Sequence, residues 1–191
     1  MSGSLRVGFV AGVTLARWRR TWVERHPQLR LDVVEVSQAE QRVALDQERV
    51  DLCFARLPLD PDKLHVIPLY TEVAVVVVPR DHPASLYESV TITDLAGDAL
   101  LDADGPVDPF DLVAAGAGVL LVPHSVARSR SRRDLVFVPV SDAEPTRVAL
   151  AWRRDREHPA TQDFVGVVRG RGVSSSRGTP AAPPRSRRGR R

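Results

Sequence analysis

Three polar residues stand where strand patterns end. Thr14 follows Leu5 to Val10 and a turn carrying Gly12; Ser37 follows Leu29 to Val36; Arg56 closes Val50 to Ala55. In open α/β sheets, ligands bind beyond the carboxyl ends of the strands. Two of these three ends lead into helix patterns. Free N–H groups at a helix N-terminus, with its partial positive charge, favour an anion. A guanidinium fork at Arg56 suits a carboxylate. Gly12, Val13, Thr14, Ser37, Arg56 and Pro58 are therefore the candidate contacts for a small anionic ligand. The plain alternative is that Thr14 and Ser37 only cap helices and Arg56 only makes a surface ion pair.

Other chemistries find less support. The five histidines (26, 65, 82, 124, 158) lie far apart and form no His-x-His or His-x3-His pair, so neither a metal nor another cofactor is expected. His124-Ser125 opens a helix pattern, but no Gly-x-Ser-x-Gly elbow surrounds it, and no enzymatic role is expected. Gly116-Ala117-Gly118 lacks the rest of a dinucleotide fingerprint. Cys53 alternates within a strand and reads as an inert buried thiol. Trp18 and Trp22 recur at helical spacing and read as core or interface anchors. The four aspartates between 102 and 111 lack calcium-loop spacing and read as a solvated loop.

The elements that would position the candidate site come in alternation. A strand over 5–10, a helix carrying Leu15, Trp18 and Trp22, a strand over 29–36, a helix over about 38–49 and a strand over 50–55 follow one another with short connections. That order is the signature of a parallel sheet covered by helices. Pro27 stops the first helix, and Ser37-Gln38-Ala39-Glu40 has the form of a capping box for the second. Further on, 65–70 and 73–79 read as strands, as do 118–122, 135–140 and 147–152. Gly116 closes a helix, and a last helix starts near Pro159.

Composition sets the frame. The chain has 191 residues, 43% of them hydrophobic and 27% charged, enough for a packed core. No apolar run nears the ~18 residues of a membrane span, and no secretory signal pattern opens the chain, so a cytoplasmic location without membrane contact is expected. The single cysteine rules out an internal disulfide framework. Net charge is +3, yet residues 169–191 hold eight arginines and no acid, which leaves −5 for residues 1–168. A uniformly basic nucleic-acid-binding domain is thereby disfavoured. The composition from 171 to 191 predicts a disordered tail rich in Arg, Pro and Ser.

An ordered set of short segments carries a family likeness. Leu5-Arg6-Val7-Gly8, His26-Pro27-Gln28-Leu29, Asp51-Leu52, Pro68-Leu69-Tyr70 ahead of a valine-rich strand, Asp81-His82-Pro83, and Val113 to Val119 with Pro123 resemble the effector-binding domain of LysR-type transcriptional regulators. The likeness runs from about 5 to 101 and again from 112 to 170. It implies an α/β fold of two lobes, like a type 2 periplasmic binding protein, with the effector in the cleft. Lobe one would comprise 1–79 and 146–170, and lobe two 80–145. Val73 to Pro79 would cross outward and Arg147 to Trp152 return. The matching cleft positions are Gly12 to Thr14, Ser37 and Arg56 to Pro58.

The resemblance further implies a small-molecule effector, expected to be a carboxylate, and a homodimer or tetramer. DNA would be bound only through a helix-turn-helix domain that this sequence lacks. Leu101 and Leu112 are separated by ten residues where the family has a few dozen, so the second lobe is expected to be abbreviated. The competing readings are a stand-alone solute-binding protein and a degenerate regulator fragment without ligand.

Overall fold

The computed structural model describes residues 3–170. The tail expected over 171–191 lies outside them.

Strand β1 (Leu5–Phe9) buries Leu5 and Val7 completely. It lies between two parallel neighbours, β2 (Leu31–Glu35) and β3 (Leu52–Arg56). Helix α1 (Ala16–Arg25) and helix α2 (Gln41–Asp46) make the crossings. β3 is buried at every position, as befits the centre of a sheet covered on both faces. Its Phe54 stacks on Trp18 of α1 at 4.6 Å and meets Phe164 edge-on at 6.1 Å. Phe164 belongs to α5 (Thr161–Val168), which packs on α1. Trp22 is fully buried and donates its indole N–H to the Leu29 carbonyl at 2.9 Å, so the tryptophans of α1 serve the core.

Two antiparallel strands complete this sheet. β4 (Leu64–Glu72) forms its edge, and β8 (Thr146–Arg153) lies between β4 and β3, in the order β2-β1-β3-β8-β4. A second sheet is built around β5 (Ala74–Pro79), with β6 (Leu120–Pro123) and β7 (Leu135–Pro139) antiparallel on its two sides. Helices α3 (Pro109–Ala114) and α4 (His124–Ser129) pack against it, along with a 3₁₀ turn at Pro83–Leu86; a second such turn lies at Thr93–Leu95. The result is a mixed α/β protein of two lobes joined by two crossings.

The expected boundary moves. Val73 to Pro79, expected to cross outward from lobe one, instead supplies β5, the central strand of lobe two. The outward crossing is the junction at Val73, between β4 and β5; the return spans 140–145, ahead of β8. Several helix ends also shift inward. The second helix begins at Gln41, three residues later than expected, because residues 38–40 form a turn ahead of it.

That turn is held by Ser37, whose Oγ accepts from the Glu40 N–H at 3.2 Å. The last helix starts at Thr161 rather than at Pro159. Gly116 does close α3, with φ of +74°, the left-handed region glycine occupies without strain.

The abbreviated stretch is a continuous, mostly exposed loop over 102–107 that leads directly into α3. Two of the four aspartates between 102 and 111, expected to be solvated, instead have structural roles at α3. Asp108 caps α3 by accepting from the Phe110 N–H at 3.0 Å, with Pro109 as first helical residue. Asp108 also pairs with Arg130, and Asp111 pairs with Arg132.

Candidate functional site

The carboxyl ends of β1 and β2 face the second lobe. After Phe9 the chain turns through Gly12, which has φ of +89°. A Cβ on Gly12 would sit 2.4 Å from Ser125 Oγ and 2.9 Å from the Val126 nitrogen. The first loop of lobe one therefore presses on the start of α4 in lobe two, and only glycine permits both the conformation and the approach.

Beside this contact lies a cavity of about 490 Å³ between the lobes. Phe9, Ala11 to Thr14 and Glu35 form its wall on lobe one. Ala103, Asp108 to Phe110, Val126, Ser129 and Arg130 form the wall on lobe two. Its volume falls in the range of small-molecule sites.

Of the expected contacts, Gly12, Val13 and Thr14 line this cavity, whereas Ser37, Arg56 and Pro58 do not. Thr14 is exposed and makes no cap for α1, whose first turn has no side-chain acceptor; the capping alternative for Thr14 is set aside. Ser37 does bond the Glu40 N–H, so a structural role for it is present in the molecule. Pro58 is an exposed loop residue following a cis peptide bond.

Arg56 corrects the expectation of an open guanidinium fork. It is 3% exposed. Its Nε and Nη2 both donate to Glu72 Oε2, at 3.3 and 2.8 Å, and Nη2 also donates to the Ala11 carbonyl at 3.1 Å. Glu72 is itself buried at the end of β4, next to the Val73 crossing. Gln41 of α2 completes the arrangement: its side-chain amide accepts from the Arg56 N–H at 2.9 Å and donates to the Arg56 carbonyl at 2.8 Å. Buried charges persist only when paired and hydrogen-bonded, and these two are. Arg56 thus stands behind the cavity wall and fixes the loop that forms it.

Glu72, Gln41, Glu35 and Arg130 lie outside the sequence expectation. Glu35 carries a usable signal, since the strand-end rule applies to the last residue of β2 as well as to the residue beyond it. Phe9 and Glu35 are partners in the β1–β2 register. Asp108-Pro109 carries a legible cap signature inside a stretch whose composition predicts a loop. Nothing in the local sequence marks Glu72 or Arg130, because their partners lie 16 and 22 residues away.

Cys53 is fully buried in β3, and burial pushes its thiol up to about 12. Such a thiol is inert at neutral pH. Among the described residues, no cluster of His, Cys, Asp or Glu could hold a metal ion, and no helix is long and apolar enough to cross a membrane.

Two α/β lobes, two crossings and a cleft at the strand ends define a domain with the type 2 periplasmic-binding-protein-like fold. The chain belongs to the LysR substrate binding domain family, whose profile matches residues 1–106 and 110–172. The break in that match falls at the junction of the short loop with α3.

Among curated relatives, the HTH-type transcriptional regulator AlsR of Bacillus subtilis (strain 168) is 22% identical over 198 residues, 86% of this chain and 65% of that protein. The hydrogen peroxide-inducible genes activator of Pectobacterium carotovorum subsp. carotovorum is 26% identical over 189 residues, 80% of this chain and 61% of that protein. The chain thus spans a little under two thirds of these regulators. Among solved structures, the BenM effector binding domain with its effector benzoate is 25% identical, with a TM-score of 0.73 over 89% of this chain and 92% of that one.

Proposed function

We propose that this chain is the ligand-sensing part of a LysR-type transcriptional regulator and that its effector, a small carboxylate, binds in the cavity between the lobes. The supporting observation is the cavity itself, which opens at the strand ends where Gly12 brings the lobes into contact. Thr14, the last residue of the loop on the cavity wall, stands two residues ahead of α1, whose first turn has no side-chain cap, and a free helix N-terminus favours a carboxylate. Ser37, at the neighbouring strand end, lies outside the cavity lining and would become a second polar contact only by releasing its hydroxyl from Glu40. Arg56 acts through the Ala11 carbonyl, holding the cavity loop in place.

Benzoate in the similar BenM domain agrees with an organic acid as ligand. The hydrogen peroxide-inducible genes activator raises a second reading, a response to peroxide, which in a protein falls first on accessible thiolates. The buried Cys53, the sole cysteine of the chain, does not favour it. In this reading the domain is not an enzyme, works in the cytoplasm and forms a homodimer or tetramer. In the intact regulator, ligand-driven change between the lobes would alter DNA affinity through a helix-turn-helix domain outside this sequence.

The test is a thermal-shift and calorimetric screen of small aliphatic and aromatic carboxylates on the whole chain. A ligand at 100 times its Kd stabilises the fold by ~2.7 kcal/mol, a readily measured shift in Tm. Gly12→Ala, which drives a methyl into Ser125, should abolish that shift. A structure of the complex with the ligand away from this cavity would refute the assignment.

A further inference from the structure

The two walls of the cavity differ in charge, and that difference constrains the effector. On the lobe-two wall, Arg130 is already satisfied. It pairs with Asp108, and its guanidinium lies over the Phe110 ring, 5.1 Å from the centroid. On the lobe-one wall, Glu35 is exposed to the cavity and has no ion-pair partner among the described residues. Arg56, behind that wall, is neutralised by Glu72. The cavity lining therefore holds one unmatched carboxylate and no unmatched arginine.

A ligand bearing only a carboxylate would share this space with Glu35. A cavity of about 490 Å³ is only roughly 10 Å across, close to the Debye length of about 8 Å at physiological ionic strength. Salt does not separate the two charges. The partial positive charge at the α1 N-terminus, roughly half a unit, cannot neutralise both. A cationic nitrogen on the ligand can.

We infer that the effector is bipolar. A carboxylate meets the first-turn amides of α1 beside Thr14, an ammonium or comparable cationic nitrogen meets Glu35, and an apolar body sits between Phe9 and Phe110. This rests on the cleft reading above and adds the second charge to it.

Three probes with a matched phenylalkyl body separate the contributions: 3-phenylpropanoate has the acid alone, phenylalanine has both groups, and phenethylamine has the amine alone. Calorimetry on the whole chain should show phenylalanine binding at least about tenfold tighter than either single-charge probe, about 1.4 kcal/mol. In Glu35→Gln the advantage over 3-phenylpropanoate should shrink to about twofold, while 3-phenylpropanoate itself binds as well or better. The Tm of the unliganded variant should match wild type, since Glu35 is an exposed residue at a strand end.

Equal binding of phenylalanine and 3-phenylpropanoate by the wild type, or an advantage that survives in Glu35→Gln, overturns the bipolar effector and leaves the carboxylate cleft standing. Tightest binding by phenethylamine overturns the carboxylate half. Absence of binding by all three at millimolar concentration overturns the bipolar effector with an apolar body between Phe9 and Phe110, while the cleft reading is judged separately by the carboxylate screen.

Discussion

The two lobes use the same building plan with unequal means. Lobe one closes a five-stranded sheet under α1, α2 and α5, and 23 buried residues form one continuous core cluster. Lobe two has three strands, and its core is split into two clusters of eight, one on each face of β5. The imbalance shows at the surface as well. Leu86, Tyr87 and Leu100 of lobe two are each at least 65% exposed, while no large apolar residue in the strands and helices of lobe one exceeds the 57% of Val23. A unit of about 60 residues buries only ~60% of its unfolded surface and is marginal alone. Lobe one is therefore the scaffold and lobe two the element that leans on it, through Gly12 against α4 and through the two crossings.

The scaffold has one point of concentrated risk, the Arg56–Glu72 pair. Glu72→Ala would leave a guanidinium buried without its counter-charge, at a cost of about 3–5 kcal/mol. Equilibrium unfolding followed by circular dichroism should show that loss. The double variant Arg56→Met with Glu72→Leu removes both charges and should recover most of the stability, because paired burial of charge is seldom better than apolar packing. A loss under about 1 kcal/mol in Glu72→Ala would mean that water reaches Arg56 and that the site is wetter than its 3% exposure implies.

The contrast between the lobes is sharpened by amide exchange. Local opening free energy follows buried apolar contact. Amides of β3 and β8 should exchange at least about tenfold more slowly than those of β6 and β7, a gap of about 1.4 kcal/mol or more. Equal protection in both sheets would show that the short lobe is as complete as the long one and would remove the basis for treating it as dependent.

Legibility in the sequence follows the same division. In lobe one, the strand-helix alternation, the parallel order of β1 to β3 and the core roles of Trp18 and Trp22 are all local signals, written in periodicity and in Pro27. The cavity loop is legible through the strand-end rule. What escapes is long-range pairing: Glu72 on Arg56, Gln41 on the Arg56 backbone, Arg130 on Asp108. Periodicity reports which face a residue occupies and is silent about which distant side chain it meets. The lobe boundary is hidden for a related reason. A valine-rich strand reads the same whether it crosses between lobes or lies at the centre of the second sheet, as β5 does.

A smaller contrast lies in a pairing that both lobes repeat. Arg153 and Asp155 in lobe one, and Arg132 and Asp134 in lobe two, each join guanidinium to carboxylate across two residues. The hydrogen bonds from Arg132 hold Asp134 below the ordinary carboxylate range. Asp155 falls to about 2, chiefly through its hydrogen bonds from Arg153. Asp155 also lies in the field of Arg156, whereas Asp134 has only Arg132, and the two partner arginines are held unequally. Arg153 is 18% exposed and also contacts Asp46, whereas Arg132 is 39% exposed and divides its donors with Asp111. Carboxyl-carbon NMR titration should find Asp155 ionising near 2 and below Asp134, and Arg153→Ala should raise Asp155 most of the way toward the ordinary carboxylate range, with Arg156 and a backbone hydrogen bond still lowering it. Because the folded value is depressed, the stabilisation from Asp155 is complete above about pH 4 and is lost as pH falls toward 2. Both carboxylates are open to solvent, so the effect on global stability is slight and the titration is the sensitive readout. If Asp155 and Asp134 titrate together, the firmer hold of lobe one does not extend to its surface, and the difference between the lobes is confined to their cores.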